Sequence, residues 1–492
     1  MSDVWQRLDV RAVGVAALLG AGLAISAGVP TAVGIASGTS LAVALAWVVP
    51  AGVLLVAAAA VLEYVRWRRT QYRIGAERAE LHTGLLVLQR RSLARARIRS
   101  VDLTANPLLR VFGLVAVKIG TGEHTDAGEG TLTLSPVTRA EGERLRLELL
   151  RGVQGESDGS LAVLDPVWIR YAPLSFLAPA LGLAAGGAVM QVAEWFTLQE
   201  EVVDWVRDLF AGFPLLAAIL VLLAILGVVG VIGSLGLFVE MWWNYRLDRE
   251  PGTLRVRRGL LTTRSISIEE RRLRGVDVVE PLGVRLAGAA RVDAVATGLV
   301  KQKENEKTDH KTLLPAAPKS VADRVAADVL REEVSPTAAA RLTPHPRAAL
   351  GRRLRISLAT ALVPVLVLAG LGWWLTDVLL QLAGILAVIV LPVAVLLARD
   401  SYRALGHGIT GKYLVTRSGS VRRSTAALQR DGVIGWRIRQ TVFQRRAGLA
   451  TFGAVTAAGG GVYSARDADA DEGLDFALDA VPGLLEPFLD RR

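Results

Sequence analysis

Residues 12–62 read AVGVAALLGAGLAISAGVPTAVGIASGTSLAVALAWVVPAGVLLVAAAAVL, with no charged side chain between Arg11 and Glu63. A helix needs roughly 20 apolar residues to cross the hydrocarbon core of a bilayer. This stretch is therefore too long for one span and long enough for two. The polar segment Thr31–Ser40 supplies a turn between them. The chain is thus predicted to begin with a transmembrane hairpin.

The composition and four further uncharged stretches extend this prediction to the whole chain. Of the 492 residues, 52% are hydrophobic and only 21% are charged, a balance typical of chains that place much of their length in lipid. The uncharged runs show no polar face at helical spacing, which argues against buried helices of a soluble core. They predict six spans, at residues 11–30, 42–64, 171–193, 215–240, 354–375 and 378–398.

Charges beside the predicted spans indicate an orientation. Arginines flank the spans on the side of the long soluble segments, as at Arg66, Arg68 and Arg69, whereas the connections within each pair of spans are uncharged or acidic. Because Lys and Arg concentrate on the cytoplasmic side of membrane proteins, we expect both termini and all soluble segments in the cytoplasm. No Asp, Glu, Lys or Arg lies in the middle of a span, which disfavours an ion-coupled transporter.

The three soluble stretches are predicted to be copies of one module. Each begins with a Tyr-Arg pair, continues through a glycine turn between short apolar runs, and later has an arginine shortly before a glycine. Thirteen residues after the turn glycine, the first copy reads RIRSVD (97–102) and the second reads RLRGVD (272–277). The third copy lacks the aspartate and has Val433 and Ile434 in place of the Val-Asp pair.

Each copy has the pattern of a small β domain closed by a helix. Apolar residues alternate with period two, as at Val115, Val117 and Ile119, and Gly, Asn and Pro occur at short intervals, which predicts antiparallel strands joined by tight turns. Each copy ends in a helical pattern, which in the third copy starts at Val481-Pro482. Several strands closed by one amphipathic helix predict a β-barrel or sandwich.

The predicted fold class is an α+β membrane protein in which three transmembrane hairpins, six helices in all, alternate with three β-rich modules. We expect the linker before the third hairpin to be an extended spacer because it contains Pro336, Pro344 and Pro346. The predicted boundaries are 1–70 for hairpin 1, 71–153 for module 1, 165–243 for hairpin 2, 244–334 for module 2, 335–350 for the linker, 351–400 for hairpin 3 and 401–492 for module 3.

These motifs carry a family resemblance. The Tyr-Arg start, the glycine hairpin, the Arg-Ile-Arg-Ser-Val-Asp segment and the late Arg-x-x-Gly resemble bacterial pleckstrin-homology (PH)-like domains. Their alternation with helix pairs is similar to that of the YdbS/YdbT-like bacterial membrane proteins, over nearly the whole chain. The resemblance implies seven strands and a C-terminal helix in each PH-like module. It also implies a bacterial plasma (inner) membrane location and no known catalytic activity.

The sequence offers no catalytic or metal-binding pattern. It has no cysteine, no phosphate-binding loop and no nucleophile elbow. We interpret the polar segment 123–126 as a solvated hairpin loop. We therefore predict no catalytic residue, no cofactor, no metal and no enzymatic activity. The histidines are scattered without metal-ligand spacing, so each is interpreted as solvated or locally hydrogen-bonded: His82, His124, His310, His345 and His407.

Arginine clusters are the informative polar feature of all three copies. Alternate arginines of a strand face one side and form a cationic surface, and each one near an anionic leaflet contributes about 1 kcal/mol. A solvated strand face explains the clusters as well, whereas nucleic-acid binding is disfavoured because aromatic residues are not interleaved. The candidate contacts to headgroups or partners are Arg90, Arg91, Arg95, Arg97, Arg99, Arg255, Arg257, Arg258, Arg271, Arg272, Arg274, Arg422, Arg423, Arg437, Arg439, Arg445 and Arg446.

Two functions fit these features. The first is a non-enzymatic membrane scaffold whose modules bind anionic phospholipid headgroups, partner proteins or one another. The alternative is an accessory subunit of an export or envelope-defence system that holds a membrane protein partner; a membrane-embedded enzyme is a third class. The acidic region from Asp467 to Asp479 offers a further possibility, pairing with the basic faces of neighbouring modules. The expected partners are the lipid bilayer and either anionic headgroups, a membrane protein or further copies of the chain.

Overall fold

Six helices of the described chain are long and apolar enough to cross a membrane, which confirms the predicted class. The computed structural model describes residues 5–84, 89–95, 98, 100–120, 131–149, 159–196, 198–297 and 311–488. The helices are α1 Ala12–Gly38, α2 Leu41–Arg69, α3 Pro107–Val111, α4 Arg139–Leu149, α5 Leu177–Trp195, α6 Gln199–Leu209, α7 Leu215–Trp242, α8 Leu282–Leu286, α9 Lys319–Leu330, α10 Pro336–Ala339, α11 Arg347–Trp374, α12 Asp377–Arg403, α13 Val442–Arg446 and α14 Ala470–Ala480.

The strands pair in antiparallel fashion throughout the described sheets. They are β1 Gln6–Arg7, β2 Gln71–Ile74, β3 Arg78–Thr83, β4 Gln89–Ala94, β5 Ser100–Ala105, β6 Leu114–Gly120, β7 Thr131–Thr138, β8 Gly159–Val163, β9 Arg246–Glu250, β10 Thr253–Arg258, β11 Thr263–Glu269, β12 Leu273–Pro281, β13 Ala289–Ala296, β14 Thr312–Pro318, β15 Gly406–Thr410, β16 Tyr413–Ser418, β17 Arg422–Gln429, β18 Gly435–Arg439, β19 Leu449–Val455 and β20 Val462–Asp469.

The chain divides into two compact units, residues 1–269 and 270–492. The first unit contains the first hairpin (α1 and α2), the first module, the second hairpin (α5 and α7) and strands β8–β11. The second unit contains strands β12–β14, the third hairpin (α11 and α12) and the third module. The boundary between the units therefore lies between β11 and β12, inside the second module.

The second hairpin differs in detail from its predicted span. Residues 166–174 form a 3-10 helix, and the membrane helix α5 begins only at Leu177, six residues after the predicted start. The Asp165 side chain caps the 3-10 helix by accepting a hydrogen bond from the Val167 backbone N–H at 2.9 Å. The rings of Trp168 and Tyr171 are buried, so this segment is held by packing and is not available as a membrane span.

Each module has its transmembrane hairpin inserted between the first two strands of its first sheet. β1 precedes the first hairpin and β2 follows it, and the two strands pair with each other. β8 and β9 flank the second hairpin in the same way. Before the third hairpin the strand is reduced to one bridge, between Thr343 and His407 of β15. The predicted boundaries, which begin each module after its hairpin, therefore separate this first strand from its sheet.

The linker before the third hairpin is correspondingly ordered and is not the extended spacer that we predicted. Its first turn is the short helix α10, and Ser335 and His345 are buried. The Tyr402 hydroxyl at the end of α12 donates a hydrogen bond to the His345 carbonyl oxygen at 2.9 Å. Pro336 begins the helix α10, and Pro344 directly follows the bridge residue Thr343. The linker is ordered because it packs against the third module.

Sheets of successive modules are joined edge to edge. In the first unit, β5 of the first module pairs with β11, so that one sheet has the strand order β7-β6-β5-β11-β10-β9-β8. In the second unit, β12 of the second module pairs with β17, which gives the order β14-β13-β12-β17-β16-β15. The second and third copies thus receive a strand from the preceding copy at the same place.

Helices close the modules as predicted, but the third closing helix lies earlier in the chain. α4 packs on β5, β6 and β7, α9 on β12, β13 and β14, and α14 on β19 and β20. α14 ends at Ala480, just before Val481-Pro482, where we predicted it to begin. Asp469 explains the difference because its side chain caps the helix, accepting hydrogen bonds from the backbone N–H groups of Asp471 and Glu472.

The crossing of α5 and α7 gives a test of hairpin packing. A Cβ on Gly182 would lie 2.1 Å from the Leu226 carbonyl oxygen, whereas a Cβ on Gly187 of the same helix would meet nothing within 4 Å. We expect Gly182→Ala to destabilise the protein by about 1–3 kcal/mol, because the backbones must separate. Thermal unfolding in detergent, followed by circular dichroism, should show a lower Tm for Gly182→Ala and no loss for Gly187→Ala. Equal melting of the two variants would contradict the close crossing.

Candidate anion-binding cleft beside the third hairpin

A cleft of about 1050 Å³ lies between the third hairpin and the second sheet of the third module. One end is basic, with arginines from three elements of the fold. Arg352 and Arg353 come from the first turns of α11, Arg437 and Arg439 from β18, and Arg466 from β20. Asp467 is the single acidic residue of the lining. The basic end therefore has an excess of positive charge.

The other end of the cleft is the groove between α11 and α12. It is lined by apolar side chains, among them Ile356, Pro364, Val390 and Leu397. The lining on α11 extends from Arg352 to Pro364, about 18 Å along a helix that rises 1.5 Å per residue. A cationic end thus continues into an apolar groove along a membrane helix.

Asp467 fixes the module to the hairpin at this cleft. It lies at an irregularity in β20 with a positive φ of 59°, and its side chain is 1% exposed. Its carboxylate accepts hydrogen bonds from Arg352 Nη1 at 2.6 Å, Arg353 Nε at 2.9 Å and Gln444 Nε2 at 2.8 Å. Two guanidiniums and an amide compensate the buried charge. Asp467 thus contacts the hairpin of its own module, in contrast to the expected pairing with neighbouring modules.

The remaining arginines of the cleft are available for an anion. Arg437, Arg439 and Arg466 are exposed, and within the described residues none of them forms an ion pair with a carboxylate. Exposed arginines pointing into a concave site attract phosphate or carboxylate groups, because the guanidinium matches their geometry with two parallel hydrogen bonds. The cleft therefore suits an amphiphile with an anionic headgroup.

A buried pair of histidines contacts the backbone of Asp467, which lines the cleft. His345 Nε2 lies 3.0 Å from His407 Nδ1, and His345 Nδ1 lies 3.1 Å from the Asp467 carbonyl oxygen. Both rings are at most 5% exposed, so that of our two interpretations of these histidines the solvated one is wrong and the hydrogen-bonded one holds. Burial lowers the pKa of His345, and burial together with the neighbouring His345 ring lowers the pKa of His407 to about 4. Among the described residues there is no group of three metal-ligating side chains.

The candidate arginines of the first module are divided between the surface and the interior. Arg90 and Arg91 are exposed on β4. Arg95 is half-buried and donates hydrogen bonds to the carbonyl oxygens of Gly75 and Glu148, at 3.1 and 2.6 Å. It therefore holds the end of α4 against the sheet. Arg97 and Arg99 lie outside the described residues, as do the segment 123–126, His124 and His310.

In the second module, two of the arginines that we predicted to form a basic surface are buried instead. Arg258 is buried with its guanidinium 4.3 Å from the ring centroid of Trp242. Arg255 is 6% exposed and binds Glu143 at 2.7 Å and Glu250 at 3.1 Å. Strand alternation alone could not reveal this because Glu143 is distant in sequence, on α4.

The two glutamates are shared with a second arginine, which lies on α4. Arg146 contacts Glu143 at 3.0 Å and Glu250 at 2.8 Å, so that two guanidiniums and two carboxylates alternate in a ring. Partial burial opposes ionisation of both glutamates, but the guanidiniums outweigh it and lower the pKa of each. The ring holds α4 against β9 and β10.

The other candidates of the second and third modules have varied surroundings. Arg257 pairs with Asp248 at 2.5 Å and Arg274 lies 4.0 Å from Asp431. Arg423 binds Asp400 at 3.3 Å and Arg422 lies 3.9 Å from Asp293. Arg257 and Arg422 are nevertheless exposed, as are Arg271, on the turn before β12, and Arg445 and Arg446, on α13, whereas Arg272 is half-buried.

The structure thus brings two predicted arginines, Arg437 and Arg439, together with three that we had not assigned to a site. Arg352 and Arg353 belong to the arginines that flank the predicted spans, a group that we interpreted only as an orientation signal. Arg466 is isolated in sequence. By strand pairing, the position of Asp467 corresponds to Pro136 in the first copy and to Ala316 in the second, so the third copy alone has a carboxylate there.

Comparisons with known proteins place these features in a family. The bacterial PH domain family matches three segments, residues 22–152, 175–333 and 356–477, which together cover more than half of the chain. The chain belongs to this family, and the resemblance inferred from its motifs is confirmed. It is also similar to the UPF0699 transmembrane protein YdbT of Bacillus subtilis (strain 168), with 23% identity over 405 residues, 79% of each chain. No solved structure matches.

The histidine pair predicts a pH-dependent stability. The pKa of His407 is about 4 in the folded protein and about 6.5 in an unfolded chain, so the unfolded state binds more protons between these values. The free energy of unfolding should therefore fall by about 3 kcal/mol as the pH drops from 7 to 4. Urea unfolding in detergent at several pH values should show this loss, and His407→Gln should reduce it. The same pH slope in the variant would contradict the assignment.

Proposed function

We propose that this chain is a non-enzymatic scaffold of the bacterial plasma (inner) membrane whose PH-like modules face the cytoplasm and bind anionic phospholipid headgroups. The cleft beside the third hairpin is the proposed site. Arg437, Arg439 and Arg466 receive the headgroup phosphate, and an acyl chain lies in the groove between α11 and α12. The observation that carries this proposal is the continuity of an arginine-rich end with an apolar groove on a membrane helix.

The exposed apolar side chains of the groove and the position of its basic end favour a lipid as the ligand over a soluble anion. The groove side chains Ile356 and Val393 are about half exposed, which costs nothing in lipid and would be unfavourable in water. The basic end lies where α11 begins and α12 ends, which is the region of the membrane interface. The headgroup phosphate of a lipid bound along the groove would lie at this level.

A scaffold role is supported by the way in which the modules are held. The first two modules are connected to their hairpins through two paired strands and the third through a strand and a single bridge, and in each unit a sheet continues from one module into the next. Within each unit the surfaces of the modules therefore have fixed positions relative to the hairpins. The family name and the name of the Bacillus relative state no enzymatic activity.

The alternative role, an accessory subunit that holds a partner protein, has one observation in its favour. In the described part of the chain, β4 is the last strand of its sheet, although its counterparts β11 and β17 are both covered by a strand of another module. An uncovered strand edge is a site for strand addition.

The proposed orientation can be tested with single cysteines, because the chain has none. A cysteine in place of Lys412, exposed in the third module, should be labelled by a membrane-impermeant maleimide only after the cells are permeabilised. A cysteine in place of Gln199, exposed between α5 and α7, should be labelled in intact cells. Labelling of Lys412→Cys from outside would contradict the cytoplasmic location of the modules.

The lipid site can be tested by thermal stabilisation of the whole protein in detergent. A ligand that binds only the folded state raises Tm, and we expect short-chain phosphatidylglycerol to do so. Replacing Arg437 and Arg439 by glutamine should weaken its binding roughly 30-fold, since each arginine contributes about 1 kcal/mol. The matched control is Arg445→Gln with Arg446→Gln, two exposed arginines outside the cleft lining, which should bind as the wild type does.

Two further ligands show whether the site needs both the anionic phosphate and the acyl chains of a lipid. Short-chain phosphatidylcholine has the same chains without net charge, and glycerol phosphate has the charge without chains. We expect both to stabilise the protein much less than phosphatidylglycerol. Equal stabilisation by phosphatidylcholine, or an undiminished effect in the Arg437 and Arg439 variant, would refute the proposed site.

A further inference from the structure

A second cavity, of about 740 Å³, lies where the first module joins the second. Its walls come from β5, β6, α3 and α4 of the first module and from β8–β11 of the second. The chain leading into and out of the second hairpin contributes only Pro166, Trp243 and Asn244. Among the described residues, none from the membrane helices α5 and α7 lines this joint cavity. It therefore lacks the apolar membrane groove that characterises the cleft of the third hairpin.

The joint cavity is strongly basic. Three of its arginines, Arg110, Arg139 and Arg246, are exposed, and within the described part of the chain none of the three forms an ion pair with a carboxylate. The guanidinium of Arg110 donates a hydrogen bond to the Leu260 carbonyl oxygen, which is uncharged. The charged residues of the lining are Arg110, Arg139, Arg246, Arg255, Arg257, Arg258, Arg264 and Glu143.

Two of these arginines are held side by side on neighbouring strands. Arg246 of β9 is directly opposite Arg257 of β10. Like charges in directly opposite positions of an antiparallel pair are destabilising. Asp248 binds Arg257 at 2.5 Å and so compensates one of the two guanidiniums. An anion beside Arg246 would compensate the other.

The charge of Arg110 is compensated in the second copy of the module but not in the first. Arg285 is its equivalent, because each is the fourth residue of the short helix α3 or α8. Arg285 binds Asp400 at 2.7 Å. Asp400 lies six residues before β15, and the residue six before β9 is Glu240. Glu240 instead accepts hydrogen bonds from two backbone N–H groups of the turn before β11, both at 2.9 Å.

The charge of Arg139 shows the same difference. Arg139 begins α4 and Lys319 begins α9, and the backbone N–H of each donates to the glycine just before β6 or β13. Lys319 forms an ion pair with Asp323, four residues further along its helix. The equivalent carboxylate in the first copy is Glu143, which is already held by two other arginines in the ring described above. Arg139 therefore retains its charge without a carboxylate.

Positive charge at this place is not required for joining modules. The joint between β12 and β17 forms in the second unit, although its third module lacks most of the corresponding arginines. By strand pairing, the equivalents of Arg246, Arg255, Arg258 and Arg264 are Gly406, Val415, Ser418 and Ser424. The arginines of the joint cavity thus serve a purpose other than strand pairing.

An anion in the joint cavity would connect the two modules of the first unit. Arg110 and Arg139 belong to the first module, and Arg246 belongs to the second. Residue pairing of β11 with β5 extends only from Thr263 to Ser265, whereas β12 pairs with β17 from Gly275 to Pro281. The joint beside the cavity is therefore the shorter of the two, and a ligand that contacts both sides would strengthen it.

We propose that the joint cavity binds a water-soluble anion with two or more phosphate groups, which clamps the first module to the second. Arg110, Arg139 and Arg246 hold the phosphates, because a guanidinium matches the geometry of phosphate oxygens. Three cations on separate elements suit a ligand with more than one phosphate, and the volume is within the usual range of about 300–1,000 Å³ for ligand cavities. The ligand is soluble because no membrane helix offers a surface for an acyl chain. This inference is independent of the lipid cleft.

The test is binding of inorganic tripolyphosphate to the full chain in detergent at low ionic strength, where charge interactions are least screened. Tripolyphosphate should raise Tm and slow hydrogen exchange of the backbone amides at residues 103–105 and 263–265. Orthophosphate, with one phosphate group, should have a much smaller effect at the same concentration. No stabilisation by tripolyphosphate, equal stabilisation by orthophosphate, or protection only outside these two segments would overturn the proposal.

Variants place the effect at the joint cavity. Arg139→Gln with Arg246→Gln should weaken tripolyphosphate binding roughly tenfold, since hydrogen bonds to charged groups are lost. The matched control, Arg445→Gln with Arg446→Gln, should bind as the wild type does. Without tripolyphosphate the Arg139 and Arg246 variant should melt no lower than the wild type, because removal of Arg246 relieves its repulsion with Arg257. Undiminished binding, or a lower Tm without the ligand, would contradict a binding role for these arginines.

A last comparison separates this site from the lipid cleft. Arg437→Gln with Arg439→Gln should leave tripolyphosphate binding intact whether or not phosphatidylglycerol binds at the cleft. Arg139→Gln with Arg246→Gln should leave any stabilisation by short-chain phosphatidylglycerol intact. Loss of the tripolyphosphate effect in the Arg437 and Arg439 variant would move the anion to the cleft and refute the joint cavity as its site. Loss of the phosphatidylglycerol effect in the Arg139 and Arg246 variant would identify a lipid headgroup as the ligand and refute a soluble one.

Discussion

The structure depends on the insertion of each helix hairpin between two hydrogen-bonded neighbours of a β-sheet. The strands before and after the hairpin must lie about 4.8 Å apart to pair, while packed helices lie about 8–10 Å apart. Both helix ends are therefore held close to the same edge of the module. In the first module this is reinforced by Trp67 Nε1, which donates a hydrogen bond to the Leu8 carbonyl oxygen at 2.7 Å. A module attached in this way is held at the membrane surface rather than on a flexible tether.

The second organising interaction is the strand pairing between modules, and it buries an aspartate at each joint. Burial raises the pKa of Asp102 to about 7 and also raises the pKa of Asp277. Asp277 accepts a hydrogen bond from the Ser424 hydroxyl at 2.6 Å. In the third copy the strand pairing makes the exposed Arg437, which lines the cleft, the equivalent of Asp102 and Asp277. The pair that replaces Val-Asp is therefore Trp436-Arg437, and our assignment of Val433 and Ile434 to this position was wrong.

Each joint between modules pairs two strand types, β11 with β5 and β17 with β12. Within the described residues, one copy of each type lacks such a pairing: β4, which carries exposed arginines, and β18, which presents Arg437 and Arg439 beside a membrane helix. Equivalent positions in the copies therefore carry opposite charges, and the basic residues cannot all be assigned to one role from their number alone.

The membrane spans, the triplication and the β-plus-helix character of the modules could be predicted from the sequence because they depend on local composition and short periodic patterns. The start of α5, the position of α14 and the order in the linker could not, because capping by Asp165 and Asp469 and packing around His345 override the local pattern. The basic cleft and the burial of Arg255 were decided only by the tertiary structure. Strand alternation states which side chains share a face, but whether that face meets water, Glu143 of a distant helix or a membrane hairpin depends on long-range pairing.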